Sequence, residues 1–125
     1  MKTTTVLLID HDAVNHILVS EALSNRNVQI VHADNGSEAI NLFRYNPFFD
    51  LVISEMLLPD MDGFCVLREI RKLNPIIPVI AQSSYTSPDL KSRCLEEGFN
   101  YFIEKPSTVE VIADQVEAYK DYINI

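Results

Sequence analysis

The sequence predicts an α/β domain, doubly wound on a five-stranded parallel sheet. Five short runs are rich in Val, Ile and Leu with weak polar alternation, as strands covered on both faces read. Each run is followed by a stretch of helical period, and repeated strand–helix alternation implies parallel pairing with right-handed crossovers. The length of 125 residues suits one hydrophobic core, and residues 1–125 are read as a single domain.

The strand runs are TTVLLID (4–10), VQIVHA (28–33), DLVISE (50–55), IPVIAQ (77–82) and NYFIE (100–104). The first helical stretch carries Val14, Ile17, Leu18 and Ala22, with Asp12 as its N-cap. The second has Ala39, Ile40 and Phe43, with Asn35 and Glu38 spaced as a capping box. The third places Leu67, Ile70 and Leu73 at helical spacing. The fourth opens Ser87-Pro88, a cap followed by proline at the first helical position, and stops at Gly98. The fifth opens on a second capping box, Ser107 with Glu110, and shows Ile112, Val116, Tyr119 and Ile123 on one face.

Composition narrows the function. Hydrophobic residues at 47% and charged residues at 22% are ordinary for a packed domain. A net charge of −8 argues against nucleic acid and against an anionic membrane surface as partners. No apolar run is long enough to cross a bilayer, and no signal peptide is evident. Cys65 and Cys94 form no C-x-x-C pattern and read as two reduced thiols, so a cytoplasmic location is expected.

In an open parallel sheet, ligands sit beyond the carboxyl ends of the strands. Those ends carry Asp10-His11-Asp12, then Glu55 running into MLLPDMDG (56–63), then Gln82-Ser83-Ser84, and finally Glu104-Lys105-Pro106. Carboxylates gathered in one mouth raise one another's pKa unless a cation joins them. That cation is either a hard metal such as Mg²⁺, which takes oxygen ligands, or Lys105. Singly, Asp12 reads as a helix cap, Asp60 and Asp62 as turn residues, and Lys105 as a solvated loop lysine. Their placement together at four strand ends is what points to function.

VLLIDHD (6–12), FDLVISEMLLPDMDGF (49–64), PVIAQSS (78–84) and GFNYFIEKP (98–106) make the chain resemble the receiver domain of two-component response regulators. The resemblance implies a flavodoxin-like sheet of strand order 2-1-3-4-5 with five helices. It implies a site in which Asp10 and His11 stand at the acidic pair, Glu55 at the phosphoacceptor, and Leu57 at the main-chain carbonyl that helps hold Mg²⁺. Ser83 stands at the hydroxyl that bonds the phosphoryl group, Phe102 at the switch aromatic, and Lys105 at the site lysine. The bond before Pro106 is expected to be cis.

Two positions depart from the family pattern. Glu55 replaces aspartate, and its extra methylene moves the carboxylate by roughly 1.5 Å, where a misplacement of about 1 Å can cost on the order of a hundredfold in rate. His11 replaces an acid, which removes a negative charge and offers Mg²⁺ a poor ligand. The reading that follows is a degenerate receiver, without catalytic turnover, in which Glu55 reaches Lys105 and Ser83. No cofactor is expected, and Mg²⁺ binding at Asp10, Glu55 and Leu57 would be weak. Either an active-like or an inactive-like fixed state is compatible. His11 either simply fills the vacated metal position, the plainer reading, or among carboxylates forms a pH-responsive group or a softer metal site with Zn²⁺. The alternative is a working phosphoacceptor using Mg²⁺ and a partner histidine kinase. A flavodoxin-like anion binder and a metal-dependent phosphatase fit less well, for want of a phosphate cradle and of a cap domain. Partners, a histidine kinase or an output protein, would meet the fourth helix, fifth strand and fifth helix (90–98, 101–104 and 109–122), with Tyr101, Tyr119 and Tyr122 as candidate contacts. The domain is expected to be a monomer or a weak homodimer.

Overall fold

A computed structural model describes residues 3–46, 48–85 and 87–123, the side chains of 121–123 excepted. The order of elements is β1 (Thr4–Ile9), α1 (Ala13–Ala22), β2 (Val28–Ala33), α2 (Gly36–Tyr45), β3 (Leu51–Glu55), α3 (Gly63–Leu73), β4 (Val79–Ser83), α4 (Pro88–Glu97), β5 (Tyr101–Glu104) and α5 (Val109–Ile123). The strands form one parallel sheet in the order β2-β1-β3-β4-β5, as the sequence implied. The strand order reverses between β1 and β3, which places a switch-point crevice at their carboxyl ends.

Strand pleating sends alternate residues to opposite layers. Val6, Leu8, Ile53 and Ile80 pack with Val19 of α1 and with Ile112 and Val116 of α5. Leu7, Ile9, Val52 and Ala81 pack with Phe43 of α2 and with Leu67 and Ile70 of α3. Every residue of β3 and β4 is buried, which explains their unbroken apolar runs. The edge strand β2 is mostly half-buried.

Local capping sets the phase of the helices. Asp12, Asn35, Asp62 and Ser87 each accept a backbone N–H in the first turn of α1, α2, α3 and α4, at 2.8 to 3.0 Å; each such cap contributes about 1 kcal/mol. Gly98 closes α4 with φ of 118°, a left-handed conformation that favours glycine. Two expectations change. The α5 cap is Thr108, whose Oγ1 accepts from Val111 N at 3.3 Å; the hydroxyl of Ser107 is buried with no partner among the described residues. In α1 the cap at Asp12 turns Asn15, Val19 and Ala22 inward. Val14 and Ile17, read from the sequence as part of the apolar set, stand 73% and 65% exposed.

Candidate functional site: a lysine-bridged carboxylate pair

Because β1 and β3 are neighbours, Asp10 and Glu55 emerge side by side at the switch point. Lys105 follows β5, and its backbone N–H donates to the Ser83 carbonyl at 2.8 Å, prolonging the β4–β5 ladder by one bond. From there its stem crosses the end of β4. The Lys105 Nζ lies 2.7 Å from Asp10 Oδ2 and 2.6 Å from Glu55 Oε2. All three side chains are nearly withdrawn from water, at 11%, 2% and 8% exposure. The Lys105–Pro106 bond is cis, as the resemblance implied. Burial, the largest single influence, pushes the Lys105 pKa down, but the hydrogen bonds and charges of Asp10 and Glu55 together outweigh it and hold it above 10.5.

The extra methylene of Glu55 lets its two oxygens serve two purposes. Oε2 reaches the ammonium, while Oε1 folds back to accept from Met56 N at 2.9 Å and Leu57 N at 3.2 Å. Asp10 is equally occupied. Its Oδ1 accepts from Asp12 N at 2.8 Å, and its Oδ2 accepts from Asn15 Nδ2 at 2.6 Å besides the lysine. The loop that presents Met56 and Leu57 is itself tethered. The Asp60 carboxylate accepts from Gly36 N, Ser37 N and Ser37 Oγ at 2.7 to 3.0 Å. Those bonds hold its carboxyl below the usual 3.8. Asp60 is thus more than the turn residue its sequence suggests.

Lys105 stands where a cation joining the two carboxylates would lie. The space between the two carboxylates is filled by the Lys105 ammonium, and the remaining oxygens of Asp10 and Glu55 accept backbone or amide hydrogens. Among the described residues no cluster of three His, Cys, Asp or Glu side chains could hold a metal.

The other positions inferred from the sequence are placed as follows. Ser83 is fully buried at the end of β4, but its hydroxyl accepts from Tyr85 N at 3.1 Å and makes no bond to Glu55. Only the lysine half of the expected Glu55 contact is present. His11 is exposed and has no hydrogen bond or ion pair among the described residues. Phe102 is 5% exposed, packed in the layer with Ala81, Cys94 and Phe99. On the expected partner face Leu95, Tyr101 and Val111 are 45%, 38% and 40% exposed. Tyr119 donates its hydroxyl to the Asn100 carbonyl at 3.1 Å. The side chain of Tyr122 lies outside the described residues.

Three polar contacts escaped the sequence reading. Asn15 Nδ2 donates to Gln82 Oε1 at 2.9 Å while Gln82 Nε2 donates back to Asn15 Oδ1 at 3.2 Å, a reciprocal amide pair joining α1 to β4. His16 and His32 stack with ring centroids 3.9 Å apart. His32 Nε2 donates to the Asp10 carbonyl at 2.9 Å, and since a carbonyl oxygen only accepts, that nitrogen carries the hydrogen. Gln82, an amide late in an apolar strand, was the signal the sequence offered for the first contact.

The fold and the strand-end site define a two-component receiver module. The sequence pattern of the response regulator receiver domain matches residues 6–117, and the chain belongs to that family. It is 30% identical over 118 residues to the sensor histidine kinase RcsC of Escherichia coli, covering 94% of this chain and only 12% of that protein. It is 30% identical over 103 residues to the two-component response regulator ORR11 of Oryza sativa, covering 81% of this chain and 70% of that one. Among solved structures, the signal receiver domain of a Luxo repressor protein from Vibrio parahaemolyticus superposes with a TM-score of 0.91 at 25% identity, over 98% of this chain and 94% of that one. The non-phosphorylated HemR receiver domain from Leptospira biflexa gives 0.85 at 28% identity, over 98% and 96% of the two chains. Receivers are in general signalling modules that act through protein partners such as histidine kinases. Among the described residues no helix is long and apolar enough to cross a membrane.

Proposed function

We propose that this receiver is not driven by a phosphorylation cycle and signals through a charge arrangement built into its sequence, read by a protein partner. The carrying observation is the Lys105 ammonium held between Asp10 and Glu55. Phosphoryl transfer depends on positioning and charge neutralisation. Oε1 of Glu55 is held by two backbone N–H groups and Oε2 by the ammonium, so the carboxylate must leave some of these partners to present an oxygen in line with phosphorus. His11 supplies no replacement charge at the mouth, so the metal that neutralises the transfer lacks a site.

The burial of Phe102 supports a fixed state. Exposing a phenyl ring from a core costs about 1.5–3 kcal/mol, and phenylalanine has no hydroxyl to recover part of that in water. With the lysine tied and the ring inside, two elements expected to respond to phosphorylation are each set in one place. We assign the contact with a histidine kinase or an output protein to the α4–β5–α5 face, where Leu95, Tyr101 and Val111 offer apolar surface. We read residues 1–125 as one cytoplasmic domain, a monomer or weak homodimer.

Incubation with acetyl phosphate and Mg²⁺ followed by intact mass spectrometry tests the reading. The wild-type protein is expected to stay unmodified, while the H11D/E55D variant, which restores both acids, gains an adduct. A stoichiometric phosphoryl adduct on wild-type Glu55 would sink the proposal.

A further inference from the structure

Asn15 and Gln82 lie 67 residues apart in sequence, on α1 and β4, yet their amides pair face to face. They are 4% and 1% exposed. Burying amides is unfavourable unless they are hydrogen-bonded, and here the two satisfy most of each other's groups. The pair is not closed on itself. One Asn15 Nδ2 hydrogen goes to Gln82 and the other to Asp10 Oδ2 at 2.6 Å, the same oxygen that receives Lys105. With Asp10 Oδ1 fixed by the Asp12 N–H, the carboxylate is pinned at both oxygens from the α1 side. A neutral amide can do this without adding a second cation that would compete with the lysine.

We propose that Asn15 and Gln82 are positioning residues, whose paired amides hold the Asp10 carboxylate so that Lys105 stays bridged to Glu55 without a metal ion. The inference rests on the reading of that triad as a fixed feature of the site. Gln82 anchors the Asn15 amide, Asn15 orients Asp10, and Asp10 retains the ammonium. Without the pair Asp10 keeps only the Asp12 N–H and the lysine, and its Oδ2 loses the partner that sets its direction. A groove of about 270 Å³ bordered by Asn15, Ser84, Lys105 and Pro106 then admits water to the lysine.

The Lys105 ammonium reports this directly, because amine hydrogens held in ion pairs away from water exchange slowly and those that water reaches exchange fast. The experiment records ¹H–¹⁵N spectra of wild-type, N15L/Q82L and N15S protein labelled at the lysine ¹⁵Nζ, at one pH at which lysine is charged and with no phosphodonor. The double variant removes both amides together, and Asp10 Oδ2 loses the donor it has in Asn15. The expected result is a Lys105 ammonium signal in the wild type that is lost in both variants, while their amide spectra show them folded. A merely structural role would shift amide signals and leave the ammonium signal in place. Should the double variant fail to fold, N15S, which removes the amide alone, gives the same readout. A retained Lys105 ammonium signal in either folded variant overturns the proposal. No phosphate enters the assay, so its outcome is independent of whether Glu55 accepts a phosphoryl group.

Discussion

Replacing Lys105 with methionine probes the bridge most severely. The substitution keeps much of the apolar stem and leaves Asp10 and Glu55 facing each other at 2% and 8% exposure with no cation between them. Removing one partner of a buried ion pair costs about 3–5 kcal/mol, because the remaining charge is desolvated without compensation. In a domain of this size that corresponds to a fall in Tm of about 10–20 °C. The deficit has a definite pH dependence. Two carboxylates without their cation have raised pKa values in the folded state, so the deficit is full well above the ordinary carboxylate range near about 4 and fades as pH falls and one of them takes a proton. The double variant E55Q/K105M, which removes one of the two charges, recovers most of the loss at pH 7. Urea unfolding followed by circular dichroism, at pH 7 and pH 5, measures all three quantities. A K105M deficit below about 1 kcal/mol, or one that E55Q leaves intact, would refute the reasoning, since exposed pairs contribute only that much.

In the wild-type protein the Lys105 pKa is raised above 10.5. Its contribution is therefore complete below the unfolded value and is lost as pH rises through the folded one, visible as declining stability above pH 10.5 in a series of unfolding curves. The Asp60 tether has the opposite sign. Its carboxyl is held below 3.8, so the stabilisation is present above that value and is lost as pH falls through the lower folded pKa; D60N removes this acid-side component from the stability profile. G98A destabilises by about 1–2 kcal/mol in thermal unfolding, a backbone cost alone, because a Cβ there would meet Leu67 only at an ordinary 3.8 Å. Burial pushes the Cys94 thiol to about 11, so iodoacetamide at pH 8 is expected to label Cys65 and spare Cys94 until the protein unfolds.

The strands and helices were legible because burial of β3 and β4 on both faces leaves an unbroken apolar signature and because caps are local, whereas the sheet order came from the family resemblance. The site lysine and its two carboxylates were legible because strand ends in a parallel sheet converge whatever the loops do. The amide pair was not, since Asn15 in an amphipathic stretch looks like a surface residue until the phase of α1 is known. The same holds for the histidine stack, which depends on α1 lying beside β2. Val14 and Ile17 erred in the opposite direction, as apolar residues that the helix phase turns outward. Ser83 shows a further limit: its position follows from the strand, but the direction of its hydroxyl is decided by the turn to Tyr85.

The central claim is that the state of this receiver is set by its own side chains. Beryllofluoride with Mg²⁺, a stand-in for a carboxylate-bound phosphoryl group, tests it without any enzyme or partner. Amide spectra of the ¹⁵N-labelled protein recorded with and without this reagent are predicted to be superimposable at Glu55, Ser83, Phe102 and Lys105. Saturable shifts at those residues, with Phe102 among them, would show a working switch and contradict the account.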